Sequence, residues 1–270
     1  MIKQVLLSLL ASCALIAPAQ ADWAMQTHDE IVSVRVLEGW RLENGHHMAA
    51  LEITLAEGWK TYWRAPGEGG IPPLLRFSGS SGIEGMSIHW PSPDVFSING
   101  MRSIGYNDRV ILPLELLVDD TGEVHLDGEL ELGVCQDVCV PVSIDLEAIL
   151  PPAGTDHDAQ IMAALSDRPM TAAEAGANGA TCAIAPISDG MRVEVSMSLP
   201  SLGENEAMVL ELPLPGVWVS EAELTRNGGQ ITATADIVPP DFQPFSLDRS
   251  SLLITVIGSQ GAVEIRGCTG

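Results

Sequence analysis

Residues 124–146 read VHLDGELELGVCQDVCVPVSIDL, and this stretch decides the fold. The segments 124–134 and 140–146 are rich in apolar and β-branched residues, with partial alternation of apolar and polar positions, which is the pattern of half-buried strands. One strand runs into Cys135 and another leaves from Cys139, so the cysteines sit at or near a strand-to-strand turn. Three intervening residues can reverse the chain and bring the two sulfurs into bonding reach, provided the Cβ atoms lie about 3.8 Å apart.

Strand-like segments also cover 31–36, 48–55 and 109–118, separated by Asn44-Gly45, Glu57-Gly58 and Asp120-Thr121-Gly122. Short strands at this spacing predict a β-sandwich. Pro151-Pro152-Ala153-Gly154 closes that block, 159–165 has the pattern of a short helix, and 171–180 is an Ala/Gly-rich connector. A second strand series follows at 191–199, 207–212, 217–222, 230–237, 252–257 and 262–266. The expected chain is all-β. It divides into a signal segment (1–21), a first sandwich (22–150), a linker (151–180) and a second, smaller sandwich-like domain (181–270). The two halves share no sequence repeat.

The start of the chain reads as an export signal: Lys3, an apolar run over 5–16, and the small-residue site Ala19-Gln20-Ala21. The run is shorter than the roughly 20 apolar residues a spanning helix needs. Cleavage before Asp22 is the simplest expectation. Leu10-Ala11-Ser12-Cys13 offers lipid anchoring at Cys13 as the alternative. The predicted location is periplasmic, with no stable membrane insertion. A formal charge of -23, from 36 acidic and 13 basic residues, repels nucleic acid and anionic lipid and excludes both as partners.

Loss of the signal segment leaves four cysteines, and in an oxidising compartment an even count points to disulfides. Spacing pairs Cys135 with Cys139 and Cys182 with Cys268. By chain entropy the five-residue ring stabilises by roughly 2 kcal/mol and the 87-residue loop by about 4.6 kcal/mol. Cys182–Cys268 therefore reads as a structural staple. Spacing alone leaves Cys135/Cys139 open to a redox, a structural or a metal-binding role. Metal has the least support, because C-x3-C lacks a second Cys or His pair at zinc spacing, and His46, His47, His89 and His125 can approach only through folding. Asp137 lies between the cysteines, with no Lys or Arg within twenty residues. A carboxylate disfavours the thiolate, so the pair suits a reductant unless Arg64, Arg102 or Arg109 folds over it.

Gly58-Trp59-Lys60-Thr61-Tyr62-Trp63-Arg64-Ala65-Pro66-Gly67 and Ile71-Pro72-Pro73 form a second block of motifs. With Trp90-Pro91-Ser92-Pro93, Gly105-Tyr106, Leu112-Pro113-Leu114 and the segment from Cys135 to Pro141, this order resembles the N-terminal periplasmic domain of the DsbD thiol:disulfide interchange family, in its ScsB-type branch linked to copper sensitivity. The resemblance covers about residues 30–150. It implies an immunoglobulin-like sandwich in which Cys135 and Cys139 carry electrons, with Cys135 as the attacking thiolate and Cys139 resolving. It places Trp59 and Tyr62 beside the pair, and Asp137, between the cysteines, joins them as an expected lining residue. A cap loop over 94–104 would shield it, with Phe96 as the covering side chain. The implied partners are a membrane-embedded thiol electron transporter and periplasmic thioredoxin-like or disulfide-containing proteins.

The family's membrane relay and C-terminal thioredoxin-like domain are expected to be supplied by separate partners, and the C-x3-C spacing is shorter than that of DsbD itself. The expected activity is protein-disulfide reduction or interchange, with no cofactor and no resident metal. Two other readings stand beside it: a binding scaffold with two structural disulfides, and a copper-handling protein using soft sulfur ligands. Gly67-Glu68-Gly69-Gly70 lacks the Lys-Ser/Thr of a phosphate loop, and neither a GxSxG elbow nor an HExxH zinc motif occurs.

Overall fold

A computed structural model describes residues 28–98, 101–119 and 122–270. The expected signal segment, Cys13 included, lies outside the described residues. One turn of helix, α1 (His28–Ile31), leads into β1 (Val32–Arg41), β2 (His47–Leu55), β3 (Lys60–Tyr62), β4 (Leu74–Arg76) and β5 (Ile83–Ile88). Then come β6 (Asp94–Ile98), β7 (Met101–Asn107), β8 (Arg109–Val118), β9 (Val124–Cys135) and β10 (Cys139–Leu150). Helix α2 (Asp158–Ser166) precedes β11 (Met170–Thr171), β12 (Thr181–Pro186), β13 (Met191–Ser198), β14 (Ala207–Glu211) and β15 (Trp218–Val219). The chain ends with β16 (Glu223–Asn227), β17 (Gln230–Val238), β18 (Leu253–Gly258) and β19 (Gly261–Arg266).

The strands form two sandwiches. In the first, the sheet β1-β2-β8-β5 faces the sheet β10-β9-β3-β7-β6, with β4 added beside β9. Leu51 and Ile53 of β2 and Leu112 and Leu114 of β8 meet Leu130, Leu132 and Val134 of β9 in one apolar core, with Trp63 fully buried among them. Strand β2 is buried on both faces, because Met48 and Ala50 on its far side are covered by Ile161 of α2. In the second sandwich, β11-β19-β18-β14 faces β12-β13-β17-β15, with β16 also paired to β17. Segment 151–180 is more than a connector: α2 packs on β1 and β8 of the first sandwich, and β11 pairs with β19 of the second. Cys182 and Cys268 are bonded, where the end of the chain runs beside β12.

The two cores touch. Ile257 and Ala262, from β18 and β19, belong to the apolar cluster of the first sandwich. Arg64, next but one after β3, reaches across to Glu211 at 2.9 Å and to Glu264 at 2.7 Å. Among the described residues, no helix is long and apolar enough to cross a membrane.

Candidate functional site

Strand β9 alternates buried and exposed residues along its first part, as a strand over a core should. At its end the alternation stops: Gly133 and Cys135 point away from the core yet are buried. Other side chains therefore cover the outer face of the sheet there, and they build the site.

Residues Cys135 and Cys139 are directly opposite each other at the turn end of the β9–β10 hairpin, with their Cα atoms 4.1 Å apart and their sulfurs bonded. Strand β3 lies on the other side of β9, with Lys60 in register with Cys135. Residues two apart on a strand share a face, so Lys60, Tyr62, Gly133 and Cys135 all stand on the outer face. Tyr62 is 1% exposed and donates its hydroxyl to the Cys139 sulfur at 3.0 Å, since a disulfide sulfur has no hydrogen to give. Burial pushes the Tyr62 phenol above its ordinary value.

The ring fits because glycine lines its slot. A Cβ on Gly133 would stand 3.0 Å from the Tyr62 ring and 2.7 Å from Cβ of Ile71, and one on Gly70 would stand 2.9 Å from the ring's opposite edge.

The expected cap loop is instead a regular hairpin. Strands β6 and β7 pair antiparallel over Asp94–Ile98 and Met101–Asn107, and extend the same sheet. A loop lacks the backbone ladder that fixes this segment. Phe96 stands opposite Ser103 and packs against the Tyr62–Cys135 cluster. The ammonium of Lys60 lies 5.5 Å from the centroid of its ring, a cation–π arrangement.

The covering is unequal. Cys135 has no exposed surface, whereas Cys139 is partly open and Val138, beside it in the loop, is 71% exposed. Ile71 and Leu74 add exposed apolar surface along the outer face of β9. Two expected lining residues lie elsewhere. Trp59 packs against the apolar core of the first sandwich, and Asp137 occupies the exposed tip of the β9–β10 turn.

The three arginines weighed for the thiols also point away. Arg64 pairs with Glu211 and Glu264, Arg102 with Glu221, and Arg109 with Glu52. Lys60 supplies the local cation instead. Distance along the chain hides it, but a signal was present: it is the single lysine after Lys3, and it stands two residues before Tyr62. Among the described residues, no group of three or more His, Cys, Asp or Glu is arranged to hold a metal ion.

Comparison with known proteins fits this geometry. The family described as the N-terminal part of thiol:disulfide interchange protein DsbD matches residues 22–151. The crystal structure of the N-terminal periplasmic domain of ScsB from Proteus mirabilis is similar over 92% of this chain and 98% of its own, at 27% identity and a TM-score of 0.65. No curated protein sequence matches the chain. The DsbD-type domain thus corresponds to the first sandwich, whose outer face carries the cysteine pair, while the likeness to ScsB extends through the second.

Proposed function

We propose that the chain is a periplasmic thiol–disulfide carrier that takes electrons from a membrane-embedded thiol transporter and passes them to disulfide-containing or thioredoxin-like proteins. The observation that carries this reading is the bonded pair at the turn end of a hairpin, placed outside the core and covered by Tyr62 and Phe96. A staple gains nothing from such a cover, whereas an electron carrier gains protection from stray thiols between partners. The match of residues 22–151 to a thiol:disulfide interchange family supports the same chemistry.

Exposure favours Cys139, rather than the Cys135 expected from the sequence, as the attacking thiolate. Cys139 is the open sulfur and Cys135 the closed one. In the reduced state the Cys139 thiolate attacks one sulfur of the partner's disulfide, breaking that bond and releasing a partner thiolate. A mixed disulfide through Cys139 results. The Cys135 thiolate then attacks the Cys139 sulfur, re-forms Cys135–Cys139 and releases the second partner thiolate. Two electrons leave the pair, and the released thiolates take up protons from solvent. The reverse sequence with a donor dithiol restores the reduced state. Lys60 and the Tyr62 hydroxyl favour the thiolate form, the first by charge and the second by donating a hydrogen bond. Exposed Val138, Ile71 and Leu74 give a partner apolar surface beside the open sulfur.

Trapping tests the assignment. A Cys135→Ala chain, which keeps Cys139, should accumulate mixed disulfides with periplasmic proteins on non-reducing gels, and a Cys139→Ala chain should not. The opposite pattern would return the attack to Cys135. Absence of adducts from both variants would leave a structural bond and a non-redox scaffold.

A further inference from the structure

The hairpin that carries Phe96 has two faces, and the second of them belongs to a different contact. Phe96 and Ser103 form an outward pair over the disulfide cluster. The neighbouring pair, Val95 and Ile104, points inward, into the apolar cluster that also holds Ile257 and Ala262 of the second sandwich. Two positions further along, Ser97 and Arg102 form the next inward pair. There the Arg102 guanidinium lies 3.7 Å from the Glu221 carboxylate and donates to the Ala222 carbonyl at 3.5 Å. A cleft of about 360 Å³ separates the two sandwiches along this line, bordered by Arg102, Ile104, Glu221 and Ala222. Arg102 therefore ties β7 to the second sandwich at the edge of this cleft. The strand bearing Tyr62 has its own anchor, because Arg64 follows it closely and pairs with Glu211 and Glu264.

We propose that the second sandwich is a brace for the redox site, and that Arg102 is the positioning residue by which it holds the Phe96 hairpin shut over Cys135–Cys139. The inference rests on the redox reading of that pair. Opening swings Phe96 off the sulfurs and requires the Arg102 contacts to part, so the brace sets how often a thiol reaches Cys139. Partner binding that draws Arg102 or Glu221 away from the other would open the site.

The test is the rate at which dithiothreitol reduces Cys135–Cys139 in the folded full chain, followed by alkylation and mass analysis of the Cys135–Cys139 peptide. Dithiothreitol is oxidised to its cyclic disulfide as the pair becomes a dithiol. Arg102→Gln and Glu221→Gln should each be reduced about two- to fivefold faster, the change in opening that loss of one half-exposed ion pair produces. Arg102→Lys should stay near the wild-type rate. Higher ionic strength should accelerate the wild type and leave Arg102→Gln unchanged. In a Phe96→Ala background, which removes the cover itself, Arg102→Gln should add nothing. Both side chains are about one third exposed, at 35% and 37%, so these changes leave the cores intact.

Wild-type rates in Arg102→Gln and Glu221→Gln, or further acceleration of Phe96→Ala by Arg102→Gln, would overturn the brace while leaving the redox reading in place. A wild-type pair that dithiothreitol cannot reduce in the folded chain would overturn both.

Discussion

Around the cysteines, individual side chains divide the labour. On the proposed reading Tyr62 and Lys60 both favour the charged form of the thiols, and each can be removed separately. Tyr62→Phe deletes the hydroxyl that donates to Cys139. It should raise the Cys139 thiol pKa and destabilise the fold by about 1 kcal/mol. Lys60→Met should raise the thiol pKa values of the reduced pair by about one unit, as loss of a neighbouring cation does. The rate of iodoacetamide alkylation against pH reads both, and unchanged profiles would remove these residues from the chemistry. At this scale the cysteines and Tyr62 were legible in the sequence, the latter through family likeness. Lys60 was not, because its nearness to Cys135 arises from pairing between β3 and β9, across 75 positions of chain.

Among the elements, the β9–β10 hairpin declared itself through strand patterning on both sides of the cysteines. The Phe96 hairpin did not. Its strands are short, and Asp94, Ser97 and Ser103 dilute the apolar signal, so the segment read as a loop. Strand β3 owes its place to glycine. Gly133→Val should push the Tyr62 ring from its slot, destabilise the chain by about 1–3 kcal/mol and speed reduction of the disulfide. Denaturant midpoints and reduction rates should move together. A variant with unchanged reduction would show that Tyr62 does not cover the pair.

Strand β2 contributes the acid sensitivity of the fold. His47 is fully buried, and burial lowers its pKa below 6.5. Glu52 has its carboxyl held below 4.5 by the hydrogen bond from the Arg35 guanidinium, with Arg109 adding to it. Both folded values are depressed, so both contributions are complete above the unfolded values and are lost as pH falls. Denaturant midpoints should therefore decline from about pH 6.5 downward through His47, and more steeply below about pH 4.5 through Glu52. Glu52→Gln should lower the midpoint at neutral pH and flatten the second decline.

For the molecule as a whole, the question is how firmly the sandwiches are joined. Two strand series separated by a Pro-, Ala- and Gly-rich stretch made two sandwiches legible. Their junction was not, because Arg64 meets Glu211 and Glu264 from 147 and 200 positions away. Arg64→Gln would strand two partly buried carboxylates, at a cost of about 3 kcal/mol. Calorimetry should then resolve two thermal transitions, where one dominant transition is expected of the wild type. A single unshifted transition would mean that the apolar contacts of Ile257 and Ala262 suffice.

The electron-carrier account depends on how readily Cys135–Cys139 opens, and an equilibrium titration measures that directly. The full chain is brought to equilibrium in buffers of defined thiol–disulfide ratio, and the oxidised fraction of each cysteine pair is read by differential alkylation. The account predicts a midpoint for Cys135–Cys139 above about -300 mV, in the range where cellular dithiols exchange, with Cys182–Cys268 still intact at that potential. A Cys135–Cys139 pair that stays oxidised below about -300 mV, reducing no sooner than Cys182–Cys268, would contradict it.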